Sequence, residues 1–463
     1  MRFRKSIAAA VLILLVSSAL SITYRPDRAI RVATGVVAHA VCSNAFVSGL
    51  DAQTVFAETT ERAGIRLLRW GLRYRLDRAA ETVDASVFGL FGSDAIFHEG
   101  LGCVLRHGPY EPYILKSDIA ALKRSKTPPL LPDFAGSAVV EPADPKLNAA
   151  LDHAFDEPPA PPFRRTKAVV VVKEGKVIAE RYAREIGVYT PLPGFSTTKS
   201  VINALMGILT QKGLVTPSMP APIPEWRGAT DPRREIAVEH LLRMTTGLAF
   251  DETNSGFDLS SQMVYLHDDM AGFAATAAMV ARPGERWAYS SPSTALLARI
   301  IRVSVGGPEQ SLAFAWRELF NPLGMRNVTL EFDGAGTLEG STSMLASARD
   351  WARFGLLYLN DGVIGGRRIL PADWVNFSAA ATLDTDYGAG FWTNRSEHEH
   401  AKARVWMGMP RDAFFASGDL GQRIVIVPSR DLVIVRLGHS VDPTGDIRGL
   451  GLLVKEVIEA TRP

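Results

Sequence analysis

Two strand pairs, one at each end of the second half of the chain, limit its fold more than any other feature. Ala168 to Val172 is a run of β-branched residues, Glu174-Gly175 supplies a turn, and Val177 to Tyr182 resumes the strand pattern. Near the end, Arg423 to Val427 and Leu432 to Leu437 flank the turn Pro428-Ser429-Arg430-Asp431. The segments between them carry helical periodicity: Lys199 to Lys212, Val238 to Met244, Ser293 to Val305, Leu312 to Phe320 and Ala348 to Asn360. Strands at both ends with helices between predict an α+β domain. Its sheet is mainly antiparallel and flanked by helices, with a helical insertion.

The chain has 463 residues, enough for that domain and something more. Arg2, Arg4 and Lys5 precede an apolar run from Ile7 to Ile22, which reads as an export segment. The run is shorter than the roughly 20 apolar residues that span a bilayer. Residues 1–24 are therefore either a cleaved signal or a retained anchor, and the protein is exported, periplasmic or held at the membrane facing outward. In an oxidising compartment Cys42 and Cys103 are expected to pair; two buried thiols are the alternative. Residues 25–135 form an N-terminal region without a readable role, with a basic amphipathic stretch from Arg62 to Arg78. Prolines crowd residues 128 to 162 and mark a connector, with a short helix around Lys146 to Phe155. The boundary falls near residue 135, and 136–463 is the main domain. The 51 basic and 49 acidic residues leave a net charge of +2, which gives no electrostatic case for nucleic acid.

The chemistry is concentrated at Gly194-Phe195-Ser196-Thr197-Thr198-Lys199-Ser200, just ahead of a helical pattern through Leu209. With Ser196 in the first turn, Lys199 at i+3 projects from the same face. A serine hydroxyl needs a neighbour to take its proton, and a lysine can do so when burial lowers its pKa. The helix N-terminus favours negative charge developing near Ser196. Standing alone, the same spacing also fits an N-cap serine beside a solvated lysine.

Four further segments follow in order: Glu239 to Leu248 (EHLLRMTTGL), Pro283 to Ser291 (PGERWAYSS), Tyr387 to Trp392 (YGAGFW) and Ala416 to Gln422 (ASGDLGQ). Together with Ser196-x-x-Lys199 they resemble the class C β-lactamase superfamily of serine hydrolases. That group also includes penicillin-binding peptidases, carboxylesterases and 6-aminohexanoate-dimer hydrolase. The resemblance covers roughly residues 165 to 440 and implies a serine β-lactamase-like fold. It implies that Ser196 forms an acyl-enzyme and that Lys199 receives or relays the proton. Tyr289 would serve as general base, as a phenolate or through Lys199, and then as acid to the leaving group. It places the oxyanion hole at the amides of Ser196 and Asp419. The cleft would include Ser291, Ser417 and Gly418, with Trp287 and Trp392 as walls.

Two positions depart from the pattern. Ser291 replaces an asparagine, and Ala416 replaces the lysine that holds a substrate carboxylate. These changes favour a small ester or amide lacking that carboxylate over a β-lactam or peptidoglycan stem. They also leave open an exported binding or scaffold protein on the same fold. No cofactor or metal is expected: Glu397-His398-Glu399-His400 reads as a hydrophilic loop, and His240 as structural. The absence of G-x-S-x-G argues against an α/β-hydrolase.

Overall fold

The computed structural model describes residues 25–107, 112–124, 127–133, 135–441 and 450–462. The export segment expected at residues 1–24 lies outside the described residues.

Three apolar surfaces must be covered to build the main domain. The strand pairs become β5 (Thr166–Lys173) with β6 (Lys176–Tyr182), and β9 (Gln422–Val427) with β10 (Leu432–Gly438). With β7 (Trp392–Thr393) and β8 (Phe414–Gly418) they form one antiparallel sheet in the order β7-β8-β9-β10-β5-β6. Ala168 to Val172 is fully buried because both sheet faces are covered. Val170 and Val172 face the main core, in which α6 (Ala348–Leu359) packs on β5, β9 and β10. Val169 and Val171 face a second cluster with Leu147 and Leu151 of α3 (Pro145–Phe155) and Leu453 and Val454 of α7 (Gly451–Ala460). A strand covered on both sides needs no polar alternation, hence the continuous valine run. The insertion holds α4 (Thr198–Gln211), buried from Thr198 to Leu209, and α5 (Ser291–Val305), which packs against it.

The N-terminal region folds as α1 (Pro26–Cys42) and α2 (Ala52–Thr59), followed by a four-stranded antiparallel sheet. Its strands are β1 (Leu72–Asp77), β2 (Thr82–Val87), β3 (Leu90–His98) and β4 (Gly102–Arg106), in sequence order. The helical stretch Pro26–Val47 has the length and hydropathy to cross a membrane, but 61% of its most apolar window is buried within the protein. It is laid out as a core helix. Cys42 at the end of α1 and Cys103 in β4 are joined by a disulfide.

Polar ties fasten this region to the main domain. The buried Glu331 carboxylate accepts from Ser43 Oγ at 2.7 Å and the Cys103 amide at 2.8 Å, and pairs with His39 Nε2 at 2.9 Å. Lys167 pairs with Glu58, and Arg165 with Glu61, each at 2.7 Å. Apolar residues of α1, β2 and β4 join the same core as α4 and α5. The proline-rich connector is held by Arg349, which donates to the carbonyls of Gly136 and Ala138 and pairs with buried Glu180.

Candidate active site

The turn before α4 is shaped by its own sequence. The Gly194 amide donates to the Met344 carbonyl at 2.8 Å. A Cβ on Gly194 would lie 2.5 Å from Thr197 Oγ1 and the Trp351 ring, so only glycine fits. Phe195 has φ 48, the left-handed region that non-glycine residues rarely adopt. Thr197 Oγ1 donates to the Gly194 carbonyl at 2.8 Å and Thr198 Oγ1 to the Phe195 carbonyl at 2.7 Å, holding the turn in place. The backbone then enters a 3₁₀ turn carrying Ser196 and continues into α4. Ser196 is half-buried and faces a cavity of about 820 Å³.

One helical turn on, Lys199 is buried. Its Nζ donates to Ser196 Oγ at 2.8 Å, Ser291 Oγ at 3.0 Å and the Ser341 carbonyl at 2.9 Å. Burial pushes the ammonium below the ordinary lysine range, while the charges of Glu252, Glu339 and Asp419 push it back up. A lysine lowered in this way is suited to accept a proton from the serine it touches. Ser291, where the family pattern has asparagine, still supplies an oxygen to Lys199.

Tyr289 lies across the cavity, with Lys199 Nζ 5.0 Å from its ring centroid. Burial, reinforced by Glu252, raises the phenol above its ordinary value; a hydrogen bond with Ser196 and the charge of Arg423 act in the opposite direction.

Tyr289 belongs to an aromatic group. Its ring centroid lies 5.5 Å from Trp392 and 5.7 Å from Tyr387. Trp392 lines the cavity directly, whereas Trp287 packs behind it at 6.2 Å. The second wall is β8. A Cβ on Gly418 would fall 2.2 Å from the Gly194 carbonyl, so glycine lets this strand reach the nucleophile turn. Ser417, Gly418 and Asp419 all line the cavity with Ser196. Ala416 is fully buried in β8. Arg423, paired across the ladder from Ser417, brings a cation to the cavity from β9.

Three contributors carried no sequence signal. Glu252 Oε1 lies 3.8 Å from Lys199 Nζ, and its other oxygen accepts the Ser291 amide. Ser341 acts through its backbone carbonyl. Arg62, from the N-terminal region, pairs with the Asp419 carboxylate. His240 Nδ1 accepts the Ala237 amide at 3.0 Å and so caps its own short helix. His398 and His400 approach Asp386 with ligand atoms within 4.8 Å. Asp386, however, is paired at 2.8 Å with buried Arg404 of the helix Glu399–Trp406, which also carries His400 where a loop was expected.

A helix-flanked antiparallel sheet with this site at its edge is the β-lactamase fold, and the chain is a hydrolase of that fold. It belongs to the Beta-lactamase family, whose model matches residues 151–457. It is 25% identical over 297 residues to 6-aminohexanoate-dimer hydrolase of Paenarthrobacter ureafaciens, covering 60% of this chain and 74% of that protein. Among solved structures it is similar to a penicillin-binding protein homologue from Caulobacter crescentus, with TM-score 0.53 and 18% identity over 70% of this chain and all of that one. A family VIII carboxylesterase matches with TM-score 0.51 and 16% identity over 70% of this chain and 99% of that one. At these identities the structural likeness is one of fold.

Proposed function

We propose that the protein is an exported serine hydrolase that cleaves an ester or amide through an acyl-enzyme on Ser196. The observation that carries this reading is the 2.8 Å approach of buried Lys199 Nζ to Ser196 Oγ. Lys199, in its neutral form, takes the serine proton as Oγ bonds to the substrate carbonyl carbon. The amides of Ser196 and Asp419 stabilise the developing oxyanion. The bond to the leaving group then breaks, and Tyr289 delivers a proton to it; the proton on Lys199 restores the phenol. Water repeats the sequence against the acyl-enzyme, releasing the acid and regenerating Ser196. No metal or cofactor enters this scheme. The disulfide and the apolar run at residues 7–22 support export, that run being either a cleaved signal or the means of membrane attachment.

A β-lactamase or penicillin-binding peptidase reading is favoured by Arg423, a cation near the position where Ala416 lacks one. Its Nη1 is already committed to the carbonyls of Gly418 and Gln422, at 2.6 and 2.7 Å, which leaves it poorly placed for a substrate carboxylate. Turnover of a short-chain p-nitrophenyl ester beside a chromogenic cephalosporin separates the two. Fluorophosphonate labelling of native protein and not of Ser196→Ala is the expected result. Equal, weak labelling of both would support a binding or scaffold protein.

A further inference from the structure

The cavity at Ser196 extends well beyond the reacting groups. Its lining is mixed, with Arg62, Arg164, Arg436 and Glu456 among the apolar residues. Around Ser196 the walls are polar or aromatic, with Tyr289, Ser417 and Asp419. An apolar part of the lining is one face of α1, presenting Ala29, Ile30, Ala33 and Val36 at helical spacing. Leu68, just beyond the short helix Ala63–Arg66, and Phe257 of the helical insertion complete this apolar lobe. The N-terminal region thus supplies a wall of the active-site cavity that the main domain does not provide.

The lobe has an open end marked by Leu67, which lines the cavity and is 75% exposed. Close by in sequence, Trp70 is 72% exposed and packs at a tilt against Phe88 with ring centroids 4.4 Å apart. Large apolar side chains left in water together mark a place where an apolar molecule is received. Small esters and amides need none of this. A cavity of about 820 Å³ is at the upper end of the range for small-molecule sites. An acyl carbonyl at Ser196 leaves the apolar lobe for whatever is attached to it.

We infer that the substrate is an ester or amide carrying a long unbranched hydrocarbon chain, which lies along α1 in the lobe while its carbonyl meets Ser196. This rests on the assignment of Ser196 as nucleophile and names the substrate class for that site. Each methylene removed from water contributes a factor of about three to four in binding, until the lobe is full. Specificity then follows chain length, and it is set by the N-terminal region.

The test is a p-nitrophenyl ester series from acetate to dodecanoate, run on the full chain below the micellar concentration of each ester. kcat/KM is expected to rise at least 100-fold from acetate to dodecanoate. Ile30→Trp and Ala33→Trp, which fill the lobe, are expected to lower the dodecanoate-to-acetate ratio at least ten-fold. A variant that is merely misfolded loses both activities and leaves the ratio unmoved. For an independent readout, dodecanoic acid should bind the Ser196→Ala protein by calorimetry, and Ile30→Trp added to it should abolish that binding. A wild-type optimum at acetate or butyrate, or dodecanoic acid binding unaffected by Ile30→Trp, overturns the inference while leaving the hydrolase intact. Loss of every ester activity together with absent fluorophosphonate labelling of Ser196 instead sinks the hydrolase assignment itself.

Discussion

Glu252 stands 3.8 Å from the Lys199 ammonium, close enough to favour its charge yet outside hydrogen-bonding distance. The carboxylate therefore opposes the burial that makes Lys199 a usable base. Activity that needs neutral Lys199 rises with pH through the lysine's lowered pKa. Glu252→Gln keeps an acceptor for the Ser291 amide but removes the charge. The acidic limb of the kcat/KM profile should move to lower pH by about one unit, the size of a single nearby charge effect. A limb that stays in place or moves upward would show that Glu252 does not tune Lys199.

Lys199 also carries a stability cost that its removal should expose. Its folded pKa lies below the unfolded value, so the native state binds fewer protons than the unfolded chain. The resulting penalty is present at neutral pH and is relieved as pH rises toward the unfolded lysine value of about 10.4. Lys199→Ala should lower acylation by about 10²–10⁴-fold, the range for losing a positioned base. Its melting temperature should stay level or rise at pH 7. Lys199→Arg should not restore activity, because a guanidinium does not give up its proton near neutrality. Acylation rates and thermal melts of the two variants check this; a sharply lower melting temperature in Lys199→Ala would mean that the lysine supports the fold.

Much of this arrangement is legible in the sequence where the signal is local. The valine run of β5 announces a strand, and the Ser196–Lys199 spacing brings the two side chains together, although Ser196 sits in the 3₁₀ turn just ahead of α4. Ser291 shows the limit of pattern matching. As a departure from the motif it left room for a non-catalytic relative, yet its hydroxyl meets Lys199 at 3.0 Å. Glu252 and the Ser341 carbonyl were invisible because both act from loops, one of them through backbone that any residue supplies. The N-terminal region gave no hint of its place at the cavity. Its contact residues, Arg62 and the α1 face, meet partners hundreds of positions away.

Gly418 offers a test of the proposed oxyanion hole that substitutes none of the proposed reacting residues. Alanine there would put Cβ 2.2 Å from the Gly194 carbonyl, so β8 or the nucleophile turn must give way. The amides of Ser196 and Asp419 would then separate. Gly418→Ala should cost about 10²–10³-fold in kcat, comparable to losing one oxyanion donor. Stability should fall by about 1–3 kcal/mol from overpacking. Near-normal kcat in a folded Gly418→Ala protein would place the second amide elsewhere.

The disulfide links the proposed chain-binding wall to the sheet behind it. Cys42 and Cys103 are 61 positions apart, and closing a loop of that length removes about 4 kcal/mol of unfolded-state entropy. Cys103→Ser should therefore lower the melting temperature and abolish the mobility shift between reduced and unreduced protein on a denaturing gel. The loss should fall first on α1, β4 and the ties at Glu331, since the main sheet keeps on its other face a second cluster to which the N-terminal region contributes nothing. Hydrogen exchange in Cys103→Ser is expected to speed up in Pro26–Cys42 and Gly102–Arg106 before β5 or β10. Uniform acceleration across both regions would mean that the two unfold as one unit, with the bridge bearing on the whole chain.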